Sequence, residues 1–323
     1  MGFAMNQGFV KKTVASIVSE TSKIIIGKEQ QLELIAAAVI CEGHVLLEDL
    51  PGTGKTTLIR TLSLALGCDR RRIQFTPDLL PSDVVGTTVF NQKTSEFNTV
   101  LGPVNTNLLL ADEINRAIPR TQAALLEAME EHQVTIDGTT YRLPDPFFVL
   151  ATQNPVEKDS TFPLPAAQLD RFFMKLSLGY PSQAEEITML DRVGDGIPFG
   201  TVNCVTSPGD FAALREEVRS VRIADDMKAY IVSLVQQTRS NADLLFGASP
   251  RASRCLYQGS KALAAIAGRD YVIPEDIQRL FLPVMAHRIE LSGQAGYRSV
   301  STTGILEQIL SSTPVPPAKE SML

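Results

Sequence analysis

An apolar run, Val45-Leu46-Leu47, passes through Glu48 and Asp49 into Leu50-Pro51-Gly52-Thr53-Gly54-Lys55-Thr56-Thr57, and residues 58–66 continue at helical spacing. A strand, a glycine-rich turn and a helix in that order leave few choices of local structure. The turn presents a concave row of backbone N–H groups at the positive end of a helix dipole, which suits a polyphosphate. Gly52 and Gly54 let the backbone close around phosphate oxygens, Lys55 brings a point charge to the outer phosphates, and the Thr56 hydroxyl is a ligand for magnesium. Asp49 stands where the common G-x-x-x-x-G-K-[ST] pattern has its first glycine.

Residues 107–113, Asn-Leu-Leu-Leu-Ala-Asp-Glu, read as an apolar strand that delivers two carboxylates at its carboxyl end, where open parallel sheets bind ligands. Asp112 is expected to hold magnesium through its water shell, and Glu113 to orient and polarise an attacking water.

Residues 1–180 alternate short apolar runs with helical patterns, as a parallel sheet with crossover helices does. Strands are expected near 44–47, 72–75, 107–112, 147–152 and 172–177. Between Pro119 and Glu131, Ala124, Leu125, Ala128 and Met129 recur at helical spacing while Glu127, Glu130 and Glu131 face outward. Two insertions interrupt the alternation. Residues 86–102 hold extended runs at 87–90 and 96–100, and residues 134–141 form a hairpin around Asp137-Gly138, a dipeptide suited to the positive φ angles of a two-residue turn. After Tyr180-Pro181 the extended runs stop. Residues 181–311 read as a smaller all-helical domain, with helices near 224–239, 250–268 and 274–290 and an irregular connection at 194–208. The tail, 312–323, carries three prolines and is expected to fray.

At 323 residues the chain exceeds one average domain. With 44% hydrophobic and 20% charged residues it has the make-up of a soluble globular protein. No apolar run approaches the ~18 to 20 residues of a membrane span, and residues 1–12 do not read as a signal peptide, so a cytoplasmic location is expected. Cys41, Cys68, Cys204 and Cys255 form no C-x-x-C pair, and His44, His132 and His287 are scattered, which speaks against zinc or a redox motif. A net charge of -6 and a pI near 5.3 supply no basic field, so nucleic acid is not an expected partner.

The run NLLLADEINRAIPRTQAALLEAMEEHQVT at 107–135, with LLEDLPGTGKT at 46–56, ATQNP at 151–155 and LDRF at 169–172, closely resembles the MoxR family of AAA+ ATPases. The likeness extends over most of the chain, and the aspartate at position 49 is familiar in that family. It implies an α/β fold: an AAA+ P-loop core with a parallel five-stranded sheet between helices, plus a smaller all-helical lid. It implies ATP and Mg2+ as ligands, cradled by residues 50–57, with Ile25-Ile26-Gly27 holding the adenine ring. Asn154 resembles the polar sensor between the acidic pair and the γ-phosphate. Arg171 resembles the arginine finger offered to a neighbouring subunit, and Arg251, in Ser249-Pro250-Arg251, the second sensor at the start of a lid helix.

Read on local sequence alone, Asn154 is equally a turn residue before Pro155, Arg171 a surface partner of Asp170, Pro250-Arg251 an ordinary helix start, and the two isoleucines part of a core. The resemblance further implies a ring, a hexamer, and a chaperone-like role in maturing client proteins, commonly beside a partner with a von Willebrand factor A domain. The two insertions would line the ring's pore side. A nucleic-acid motor is a rival reading, favoured by the hairpins and opposed by the acidic balance. A nucleotide-gated binding module with incidental hydrolysis is another.

Overall fold

The protein is described as a computed structural model that covers residues 8–49, 52–154, 161–193, 198–293 and 301–316. The chain clusters into two compact units. One comprises residues 13–172 and 176–212, the other residues 8–12, 173–175 and 213–316.

Up to residue 193 the elements run α1 (Phe9–Ser22), α2 (Glu29–Ile40), β1 (Val45–Glu48), α3 (Lys55–Leu66), β2 (Arg70–Gln74), α4 (Pro81–Val85), β3 (Gly86–Asn91), β4 (Glu96–Leu101), β5 (Leu108–Asp112), α5 (Pro119–Glu131), β6 (Gln133–Ile136), β7 (Thr139–Arg142), β8 (Phe148–Gln153), α6 (Ala166–Leu169), β9 (Met174–Leu176) and α7 (Gln183–Val193), all in the larger unit but for the first residues of α1 and most of β9. Five strands make one sheet in the order β2-β5-β8-β1-β9, with β2 on β5, β5 on β8 and β8 on β1 all parallel. This is the parallel sheet between helices that the sequence implied. Val45, Leu46 and Leu47 of β1 and Leu108 to Ala111 of β5 are fully buried, as expected of strands covered on both faces. The register pairs Leu47 with Thr152 and Gln74 with Asp112, so the carboxyl ends of four strands finish side by side.

β1 begins one residue later than expected because His44 is used otherwise. Its Nε2–H donates to the Met129 carbonyl at 3.0 Å and its Nδ1 accepts from the Val149 N–H at 3.1 Å, which fixes the neutral tautomer. Burial drives its pKa down to about 4, and His132 nearby pushes the same way. β2 begins two residues early, since an edge strand leaves Arg70 and Arg71 in solvent while Ile73 points inward.

Both insertions are antiparallel hairpins. β3 pairs with β4, and β6 with β7 through Asp137 and Gly138 at φ 47 and 79. The Tyr141 hydroxyl donates to Thr99 Oγ1 at 3.0 Å and ties one hairpin to the other.

The sequence suggested a boundary after Tyr180, whereas the larger unit extends to 212. Val205 N donates to Ala65 O at 2.9 Å, Lys23 Nζ donates to Thr201 O at 3.0 Å, and the Arg60 guanidinium lies 3.7 Å from the centre of the Phe199 ring. Those contacts fasten the connection to α1 and α3.

The second unit contains α8 (Phe211–Ser220) from its third residue on, α9 (Asp225–Ser240), β10 (Leu244–Phe246), α10 (Pro250–Ala267), α11 (Pro274–Met285), β11 (Glu290–Leu291) and α12 (Thr302–Ser312). Among the described residues it is helical apart from a short antiparallel pair, β10 with β11, and a single bridge between Arg222 and Tyr271. Hence the helix expected over 274–290 stops at Met285. There the chain turns to bury Arg288, whose Nη1 donates to Phe173 O at 3.2 Å. Thr313, placed in the tail by sequence, is buried and accepts from Gln237 Nε2 at 2.6 Å. Residues 194–197 of the connection and 317–323 of the tail lie outside the described residues.

Candidate active site

The glycine-rich turn stands between β1 and α3. Gly52 and Gly54 have φ of 86 and 83, values that disfavour any side chain, and the space a Cβ would fill on either is open. The result is a bare backbone cradle at the amino end of a twelve-residue helix. Lys55 Nζ donates to the Asp49 carbonyl at 3.0 Å. Thr53, Thr56 and Thr57 complete the described turn, while Leu50 and Pro51 lie outside the described residues.

Asp49 explains its own departure from the common motif. Only 5% exposed, its carboxylate accepts from Ser177 Oγ at 2.7 Å, Leu178 N at 2.9 Å and Gly179 N at 3.0 Å. A glycine there could not strap the turn to the chain leaving β9.

Opposite the cradle, β5 delivers Asp112 and Glu113. Asp112 Oδ1 accepts from the Thr152 hydroxyl at 2.7 Å, and Thr152 Oγ1 accepts in turn from Glu113 N at 2.8 Å. Glu113 adopts φ 56, which turns its side chain out of the strand direction. Its Oε2 accepts from Gln74 Nε2 at 2.8 Å and from Arg116 Nη1 at 2.9 Å. Arg72 Nη2 lies 2.6 Å from Asp112 Oδ2. A cavity of about 380 Å³ opens between cradle and carboxylates, and its lining includes Lys55, Thr56, Asp112, Glu113 and Asn154.

Sequence reasoning therefore brought the turn, the acidic pair and Asn154 to one cavity and missed Arg72, Gln74, Arg116 and Thr152. A signal for two of them was available: Arg72-Ile73-Gln74 alternates polar, apolar, polar, which puts both polar side chains on one side of a strand. Asn154 is buried just past β8, and its carbonyl accepts from Asn115 Nδ2 at 3.4 Å.

Other expected residues stand apart from this lining. Ile25, Ile26 and Gly27 form the half-buried turn between α1 and α2, where Gly27, at φ 69, packs against the Glu185 carboxylate. Arg171 follows α6 and pairs through Nε with Glu130 Oε2 at 3.0 Å. Arg251 is the second residue of α10, in the other unit, and its N–H donates to the capping Ser249 Oγ at 3.1 Å.

Comparison with known proteins decides the family. The profile of the ATPase family associated with various cellular activities (AAA) matches residues 44–174, and that of the AAA lid domain matches residues 236–309. Chaperone MoxR1 of Mycobacterium tuberculosis is 40% identical over 94% of this chain and 82% of its own. The chain belongs to the MoxR family of AAA+ ATPases. Within reach of this MoxR-type ATPase are also the uncharacterized protein YeaC of Bacillus subtilis strain 168, 48% identical over 93% of each chain, and Protein MoxR of Paracoccus denitrificans, 30% identical. A crystal structure from Cytophaga hutchinsonii superposes with a TM-score of 0.89 at 40% identity, covering 96% of each chain.

The donor set suits the ligands that the family implies. A hydroxyl and a carboxylate are hard oxygen donors of the kind magnesium takes, and the bare cradle beside Lys55 suits phosphates. Among the described residues no group of three or more His, Cys, Asp and Glu could hold a metal by itself, and no helix is long and apolar enough to cross a membrane.

Proposed function

We propose that this MoxR-type protein binds ATP with magnesium, hydrolyses it, and uses the cycle to remodel protein clients in the cytoplasm. The observation that carries the proposal is the convergence of an open glycine cradle, Lys55, two strand-end carboxylates and Asn154 on one cavity. Residues 50–57 bind the phosphates, with Lys55 at the outer ones. Thr56 and Asp112 would hold magnesium, which supplies charge neutralisation when bound. Glu113 orients and polarises the attacking water, and Asn154 is the polar sensor between the acidic pair and the γ-phosphate. Phosphoryl transfer needs positioning and charge more than covalent chemistry, so these groups suffice for the step once an arginine completes the site.

In this reading Arg171 of a neighbouring subunit supplies that arginine, Arg251 acts as second sensor, and residues Ile25 to Gly27 hold the adenine. A site completed by a neighbour requires a ring, for which we propose a hexamer. A protein client is favoured over nucleic acid by the β3–β4 hairpin. There the Phe90 and Phe97 rings pack at a tilt of 56° with centres 5.1 Å apart yet stay exposed, Phe97 by 75%. A partner with a von Willebrand factor A domain belongs to the same proposal.

Glu113→Gln tests it. The variant should keep ATP bound without cleaving it, with turnover down by about 10² to 10⁴, and should retain on a resin the client that the native protein releases. Hydrolysis at the native rate would show that the base is misassigned.

A further inference from the structure

We infer that Arg72 is the internal counter-ion of Asp112 and competes with the divalent cation for that carboxylate, a positioning role that sets how strongly the nucleotide site depends on metal. The inference rests on the ATPase reading above. β2 is the edge of the sheet, and its alternation sends Ile73 into the core and leaves Arg72 and Gln74 together on the side facing the end of β5. One nitrogen, Arg72 Nη2, reaches both Gln74 Oε1 and Asp112 Oδ2 at 2.6 Å, and the Gln74 amide continues to Glu113. Asp112 Oδ1 is already held by the Thr152 hydroxyl.

Both Asp112 oxygens are thus engaged, one by a neutral hydroxyl and one by a full positive charge. A cation that approaches Asp112 at Oδ2 meets the positive guanidinium there and is opposed by it. Two adjacent carboxylates beside a cavity repel each other unless cations offset them, and Arg72 at Asp112 and Arg116 at Glu113 fill that need. Nothing in the phosphate motif calls for an arginine at position 72. The Arg72 side chain is 48% exposed, so the pair is a partly screened one. Its displacement then weakens metal binding by about fivefold, the equivalent of ~1 kcal/mol.

The test compares the affinity of a fluorescent ATP analogue in excess magnesium and in EDTA, for native protein, Arg72→Gln and Arg72→Lys, with circular dichroism melts to confirm folding. The ratio of the EDTA to the magnesium Kd should rise about fivefold in Arg72→Gln and stay near the native value in Arg72→Lys, because lysine keeps the charge. An unchanged or smaller ratio in a folded Arg72→Gln that binds nucleotide overturns this inference alone. Absence of nucleotide binding in the native protein overturns the ATPase reading and this inference with it.

Discussion

Replacing Asp49 by alanine should release the phosphate-binding turn from the chain that leaves β9. The carboxylate is 5% exposed and accepts three hydrogen bonds, from Ser177 Oγ, Leu178 N and Gly179 N, at 2.7 to 3.0 Å. The serine hydroxyl can rotate toward another acceptor, but the two main-chain N–H groups cannot. Hydrogen bonds to a charged acceptor contribute about 1.5 to 3 kcal/mol each, so losing the buried Leu178 bond and the half-buried Gly179 bond costs about 3 kcal/mol at the lower figure. At about 1.4 kcal/mol per decade, the Leu178 and Gly179 amides should exchange with solvent about 10²-fold faster than in the native protein. Amide-resolved hydrogen exchange reads this directly, without requiring two units to unfold as one. Asp49→Asn should fall between, since its Oδ1 still accepts while its amide nitrogen meets a donor. Asp49→Gly, which restores the common motif, should behave like alanine. Exchange of both amides within threefold of the native rate in Asp49→Ala would refute the idea that this side chain straps the turn in place.

Two further substitutions address separate parts of the account. Arg171→Ala should lower turnover by roughly 10³-fold or more while leaving nucleotide affinity within a few-fold, and native turnover should fall on dilution as subunits separate. Full activity in that variant, unchanged on dilution, would remove the case for a shared site. His44→Asn addresses pH. With the folded pKa depressed to about 4 from 6.5, the unfolded chain binds the proton first, so stability is complete above pH 6.5 and declines as pH falls toward 4. The loss attributable to His44 over that window is about 3 kcal/mol. Denaturant unfolding at pH 7 and pH 4.5 should show a weaker pH dependence in the variant, and identical slopes would mean His44 is not the group responsible.

What was legible in the sequence was what repeats along the chain or stands in a row. The buried runs Val45-Leu46-Leu47 and Leu108 to Ala111 announced the central strands, Asp137-Gly138 announced a hairpin, and the order of strand, glycines and helix announced the cradle. Such signals are local, because burial on both faces and positive φ each select residue types position by position. The contacts of Asp49 with residues 177–179 and of Arg72 with Asp112 were not legible, since they join positions 128 and 40 or more residues apart and depend on sheet order. For the same reason the larger unit's reach to residue 212 was hidden. It rests on single bonds, such as Val205 N to Ala65 O, within a stretch that has no periodicity. The buried Arg288, which ends α11 early, carried no sign that distinguishes it from a surface arginine.

Titration calorimetry of Mg-ATP into native protein and into Lys55→Ala tests the account most directly. Saturable heat in the native protein that vanishes in the variant, both folded, is the predicted result. No heat from the native protein, or equal heat from both, would contradict the assignment of this turn as the seat of the phosphates.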